Sequence, residues 1–126
     1  MLKLPNVWHL ATDIEATLGE SESSLDLVAV LHPTAAVAGT PTAAALQVIR
    51  DIEPFDRHRY AGPVGWIDAA GDGEWAIALR CAQFEPADDH IAVTAHAGAG
   101  IVAGSDPEKE MLETRVKFRP IIDAIA

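Results

Sequence analysis

The residues of this chain best suited to chemistry sit near its end. Glu110, Glu113 and Lys117 follow one another at i, i+3 and i+7, which places them within roughly 60° of each other on a helix of 3.6 residues per turn. Two carboxylates on one helix face can hold a hard cation such as Mg²⁺, which favours one or two carboxylates with ligand oxygens and waters. A lysine beside them can bind an anion. The plain alternative is a solvent-facing Glu113–Lys117 pair contributing a few tenths of a kcal/mol. Glu108, Arg115 and Arg119 lie almost opposite, so a helix that also packs on a core gives only one of the two charged sides fully to water.

Arg80 is the second candidate. Its strand face otherwise carries Ala76 and Ala78, small side chains that leave room for a partner. An arginine there can fork onto a carboxylate through two parallel hydrogen bonds, or can simply occupy the solvated face of a half-buried sheet. The glycine-rich run Gly98 to Gly104 superficially fits a dinucleotide fingerprint. It lacks the context, because the next helix opens only at Pro107 and the surrounding strands read as antiparallel. It remains either a turn or a backbone nest whose N–H groups meet an anion. The five histidines show no metal-binding spacing. His90 and His96 read as a solvated pair on one strand face, Cys81 as buried and inert, and His9 as a strand-surface residue or a site residue.

These groups need elements to hold them. Asn6 to Leu18 reads as an extended strand, and the loop that follows ends in the cap residues Ser23 and Ser24. A short helix is expected over Leu25–Leu31, stopped before Pro33. A second opens at Thr40-Pro41, with threonine as cap and proline in the first turn. Ala43, Leu46, Ile49 and Ile52 recur through it at helical spacing, and Pro54 ends it. The middle is β: a strand around Val64 and Trp66, a turn at Gly71-Asp72-Gly73, one long strand from Trp75 to Phe84, and another over His90–Ala97. The last helix is capped by Ser105 or Asp106 and has Pro107 at its first position. This order predicts an α+β domain with an antiparallel sheet and flanking helices.

The bulk numbers fit one soluble domain. There are 126 residues, 49% apolar and 22% charged, enough for a single core. The net charge of -10 argues against nucleic acid, whose phosphates need a basic footprint. It also means that any anion site must rest on a few local cations and N–H groups. The single cysteine excludes an internal disulfide and points to a reducing compartment. No apolar stretch reaches the length of a bilayer span and no leader-like segment is evident, so a cytoplasmic location without membrane contact is expected.

Six blocks carry a resemblance that covers nearly the whole chain. They are Trp8–Thr12, Leu31–Pro41, Glu53–Arg57, Tyr60–Trp66, Gly73-Glu74-Trp75 running to Arg80-Cys81-Ala82, and Ala97–Pro107 running on to Glu110, Glu113 and Lys117. In this order they resemble the C-terminal end of the chorismate-utilising enzymes, which include isochorismate, salicylate, anthranilate and aminodeoxychorismate synthases. Alanine at position 36, where anthranilate-type enzymes carry threonine, is similar to isochorismate synthases. The Glu53–Arg57 run and the Gly-Glu-Trp strand resemble the siderophore-pathway type, with a menaquinone-pathway enzyme as the nearest competitor.

The resemblance implies about half of a duplicated α+β fold, with residues 1–126 as the C-terminal part of a chorismate-binding domain. It implies Mg²⁺ held by Glu113 with Glu110 beside it. Arg80 and Lys117 would hold the carboxylates of chorismate, and Gly98 would offer backbone contact. Ala36 would line the ring pocket, and His9 and Tyr60 would complete its wall. The family's lysine base and glutamate acid lie upstream of the Trp8 block, so no catalytic acid or base is expected here, and Mg²⁺ should bind weakly. A surface normally covered by the other half would drive homo-oligomerisation or complementation by an N-terminal half. The implied activity is chorismate-to-isochorismate isomerisation, with the chain inactive alone. A split-enzyme subunit and a non-catalytic chorismate-binding or interaction module are the alternatives.

Overall fold

In a computed structural model of the chain, residues 12–19 and 21–126 are described in full and residues 2–3 and 8–9 by their backbone. The elements run β1 (Leu2–Lys3), β2 (Trp8–His9), α1 (Ser24–Leu31), α2 (Ala35–Ala38), α3 (Thr42–Ile52), β3 (Pro63–Ile67), β4 (Gly73–Ile77), β5 (Ala82–Pro86), β6 (Ile91–Ala95) and α4 (Pro107–Ile125). The fold is α+β and every strand pairing is antiparallel.

The helices start where capping chemistry directs. Ser23 caps α1 through a reciprocal box: its hydroxyl accepts from the Asp26 N–H at 3.3 Å, and the Asp26 carboxylate accepts from the Ser23 N–H at 2.8 Å. In α4, Asp106 Oδ1 accepts from the N–H groups of Glu108 and Lys109 at 3.0 and 3.1 Å, with Pro107 in the first turn. For α3 the cap position is Pro41, not Thr40, and no side chain caps it. The one-turn helix α2 is absent from the sequence reading, because four residues give no period to detect.

Two expectations about the strands give way. Of the strand expected over Asn6–Leu18, Trp8–His9 form β2 and residues 12–18 join no ladder, while residues 6, 7, 10 and 11 lie outside the described residues. The long strand over Trp75–Phe84 breaks after Ile77. There Ala78 N–H donates to the Gly62 carbonyl at 2.8 Å, and Leu79 N–H donates to the Ile77 carbonyl at 2.8 Å. Arg80 then enters the left-handed region with φ of 56°, and β5 starts two residues later. The sheet is consequently a set of two-stranded ladders, β3–β4 and β5–β6 among them.

The first hairpin carries α1. Trp75 Nε1 donates to Ser24 Oγ at 3.2 Å, and Ser24 N–H donates to the Gly71 carbonyl at 2.9 Å. The turn between β3 and β4 is tied by Asp68, whose carboxylate accepts from Ala70 and Asp72 N–H at 2.9 and 3.0 Å. Burial is sparse. Among the described residues Ala38, Ala61 and Ile121 are the buried apolar side chains, while Val64, Trp66, Phe84, Ile101 and Leu112 are exposed. Cys81 is exposed too, against the expectation of a buried thiol. The strand break explains this, since the alternation that would carry it inward stops at Ile77. Total accessible area is 10457 Å², against about 6,500 Å² for a compact chain of this mass.

Candidate functional site: a cationic cavity between the broken strand and the last helix

The strand break creates the site. A left-handed residue other than glycine costs about 1–2 kcal/mol, and such strain concentrates where a side chain must be re-aimed. At Arg80 it directs the guanidinium toward α4, where Nη1 donates to the main-chain carbonyl of Lys117 at 3.3 Å. Lys117, three-quarters covered, sends its ammonium back across the gap. It donates to the Gly98 carbonyl at 2.8 Å and pairs with the Glu113 carboxylate at 2.5 Å. The glycine-rich segment thus offers at Gly98 a carbonyl, an acceptor, rather than an N–H nest.

These groups surround a cavity of about 200 Å³, below the roughly 300–1,000 Å³ of sites for drug-sized molecules. Ala36, Tyr60, Arg80, Gly98 and Lys117 all line it, so five of the sequence-predicted substrate residues from distant positions converge. Glu113 stands at its rim through Lys117, and Glu110 sits one turn earlier, half-buried and outside the lining. The sixth, His9, falls in β2 with its side chain outside the described residues.

Glu53, Arg57 and His96 also line the cavity and carry no site role in the sequence reading. The Glu53 carboxylate grips the Arg57 guanidinium through two parallel bonds, at 2.8 Å to Nε and 2.6 Å to Nη2. That hydrogen-bonded carboxylate holds the Arg57 pKa above its ordinary value. The pair is internally neutralised; of the other two cations lining the cavity, Lys117 shares its charge with Glu113, and Arg80 has no carboxylate partner among the described residues. The i, i+4 spacing of Glu53 and Arg57 was the available signal. His96 is not part of a solvated pair with His90. It stacks on Phe55 with ring centroids 4.8 Å apart, whereas His90 pairs with Asp89 at 2.6 Å in the β5–β6 turn. The strand ends at Ala95, so alternation no longer governs position 96.

For Mg²⁺, the donor set is two hard carboxylates one turn apart on α4, Glu110 and Glu113. Their chemistry fits part of an octahedral shell that ligand oxygens and waters would complete. No group of three or more His, Cys, Asp or Glu residues able to hold a metal occurs among the described residues. Glu113 also already shares its charge with Lys117.

A small cavity lined by Arg80 and Lys117 on an α+β frame has the chemistry that a site for a small organic anion needs. The chain belongs to the chorismate-binding enzymes, whose family profile matches residues 1–126. It is 48% identical over 126 residues to the isochorismate synthase DhbC of Bacillus subtilis, covering 99% of this chain and 31% of that protein. Against the isochorismate synthase EntC of Escherichia coli K12 the identity is 43% over 123 residues, covering 98% of this chain and 30% of the other. The crystal structure of DhbC from Bacillus anthracis superposes with a TM-score of 0.76 at 43% identity, covering 85% of this chain and 28% of that one. The chain therefore spans about a third of the length of the curated relatives it matches. Among the described residues, no single helix is long and apolar enough to cross a membrane.

Proposed function

We propose that this chain supplies the carboxylate-holding wall of an isochorismate synthase site, where chorismate is isomerised to isochorismate. The observation that carries the reading is the convergence of Arg80 and Lys117 on one small cavity with Ala36, Tyr60 and Gly98. Each cation would take one carboxylate of the ligand, Arg80 by a forked pair and Lys117 as a point charge. The ring would lie against Ala36 and Tyr60. Glu113, with Glu110, would hold Mg²⁺, which when bound offsets negative charge on the ligand. With the net charge at -10, that local positive cluster has to overcome repulsion at longer range.

A water adds at one ring carbon as a general base takes its proton, and the hydroxyl on another carbon leaves as water after a general acid protonates it, so the reaction needs both groups. The cations around the cavity hold charge but do not serve as that acid–base pair. The site accordingly needs a lysine base and a glutamate acid from a portion outside these 126 residues, on the same or another polypeptide, and these residues by themselves are inactive. The exposed apolar side chains and the excess accessible area support such an assembly. A homo-oligomer through the same surface is the second reading.

The test is an isochorismate assay on the chain alone and on the chain mixed with the remaining portion of the Bacillus subtilis relative, with calorimetry for chorismate in the presence of Mg²⁺. Turnover only in the mixture, with chorismate binding, is the expected result. Folded protein that binds no chorismate in either state ends the proposal. Sedimentation of the chain alone should show self-association at micromolar concentrations.

A further inference from the structure

His96 is the cavity-lining group that neither the anion-holding pair nor the carboxylates explain. Its imidazole lies nearly parallel to Phe55, at 4.8 Å and 17°, and tilted against Tyr60, at 5.5 Å and 42°. Phe55 and Tyr60 stand on the same short segment after α3. The forked Glu53–Arg57 pair fastens that segment to the end of the helix, and the Tyr60 N–H donates to the Arg57 carbonyl at 2.8 Å. The His96 ring is therefore packed against both, and the three form an aromatic clamp on one wall of the cavity. On its other side, His96 leads through Ala97 to Gly98, whose carbonyl receives Lys117 at 2.8 Å. The Tyr60 hydroxyl sits beside that glycine, 3.9 Å from where a Cβ would stand.

We propose that His96 is a positioning residue for ligand recognition: packed against Phe55 and Tyr60, it fixes the Tyr60 hydroxyl against the Gly98 segment and so selects the ring of the ligand. This rests on the proposed chorismate site and adds a division of labour within it. Arg80 and Lys117 hold carboxylates whatever skeleton bears them. The aromatic clamp decides which skeleton is accepted, because a polar group held within a fraction of an ångström discriminates far better than a loose one.

Two probes on the full chain, complemented as in the activity assay, separate these roles. Chorismate uses cations and clamp, and malonate, a dicarboxylate without a ring, uses the cations alone. His96→Ala should weaken chorismate by about tenfold, the order of an aromatic pair, and leave malonate within twofold. His96→Phe, which retains a stacked ring, should restore chorismate affinity. Phe55→Ala, which removes the ring stacked on His96, should reproduce the alanine phenotype and serves if His96→Ala does not fold. Equal chorismate affinity in wild type and folded variants overturns the positioning role alone. Parallel loss of both probes also overturns it, since the cation pair would then be what His96 supports. Wild-type protein that binds malonate but not chorismate overturns the proposed function, and this inference with it.

Discussion

The ammonium of Lys117 is bonded to the main-chain carbonyl of Gly98 at 2.8 Å, across 19 positions of sequence. One side chain of α4 thereby ties the helix to the segment after β6. The same nitrogen is the counter-ion of Glu113, so the tether, the proposed anion site and the carboxylate proposed for the metal share a single charged group.

Replacing that group should be costly in a way that replacing a neighbour is not. Lys117→Met is expected to weaken chorismate binding by more than tenfold, since removing one partner of a hydrogen-bonded charge pair costs roughly 2–5 kcal/mol. Arg119→Met removes only an exposed pair with Asp123 at 3.7 Å and should change binding by less than about twofold. Calorimetric titration of both variants, with circular dichroism to confirm folding, checks the contrast.

Glu113 competes with any anion for Lys117. Glu113→Gln should therefore tighten binding of chorismate in the absence of Mg²⁺ and abolish the gain that Mg²⁺ gives the parent. Titrations with and without the metal read both effects. An Mg²⁺ enhancement that survives in the variant would remove Glu113 from the metal assignment.

Two glycines should respond differently to alanine. A Cβ on Gly65 would fall 2.8 Å from Trp75 Cε3 and 2.9 Å from Trp75 Cα in the paired strand, so Gly65→Ala should destabilise by about 1–3 kcal/mol. At Gly98 the nearest atom would be the Tyr60 hydroxyl at 3.9 Å, an ordinary contact, and Gly98→Ala should stay within about 0.5 kcal/mol. Thermal melting separates the two.

Acid should loosen α1 first through its cap. The bond from the Ser23 hydroxyl, followed by that from the Ser23 N–H, lowers the Asp26 pKa below its ordinary 3.8. A depressed carboxyl contributes stability that is present in full above its unfolded value and disappears as pH falls through the folded one. In Asp26→Asn that portion of the acid dependence should vanish while stability at neutral pH declines. Melting temperature followed from pH 7 down to about 2 tests it, and unchanged acid sensitivity in the variant contradicts it.

Much of the architecture was readable in the sequence because its signals are local. The serine at 23 and the aspartate at 106 fix two helix starts through bonds to N–H groups only a few residues away. The 3.6-residue recurrence from Ala43 to Ile52 marks α3, and glycine at 71 marks a hairpin turn. The site residues themselves were legible through family resemblance, since nothing in the spacing of positions 36, 60, 80, 98 and 117 brings them together. The misreadings share a cause. The alternation from Trp75 to Phe84 is a genuine strand pattern, yet it cannot register that the Arg80 backbone turns left-handed, because Arg80 there reaches α4 through the Lys117 carbonyl, 37 positions away in the chain.

Sequence alone, then, determined the class of elements, their order and the chemical types available, because propensity, capping and periodicity act over a few neighbouring residues. Tertiary structure decided which charges remain available to a ligand. Glu53 neutralises Arg57 while Arg80 and Lys117 face the cavity, and His96 left the solvated strand face for an aromatic clamp. Those outcomes depend on distances between groups far apart in the chain, and such distances are set only when the helices and hairpins pack.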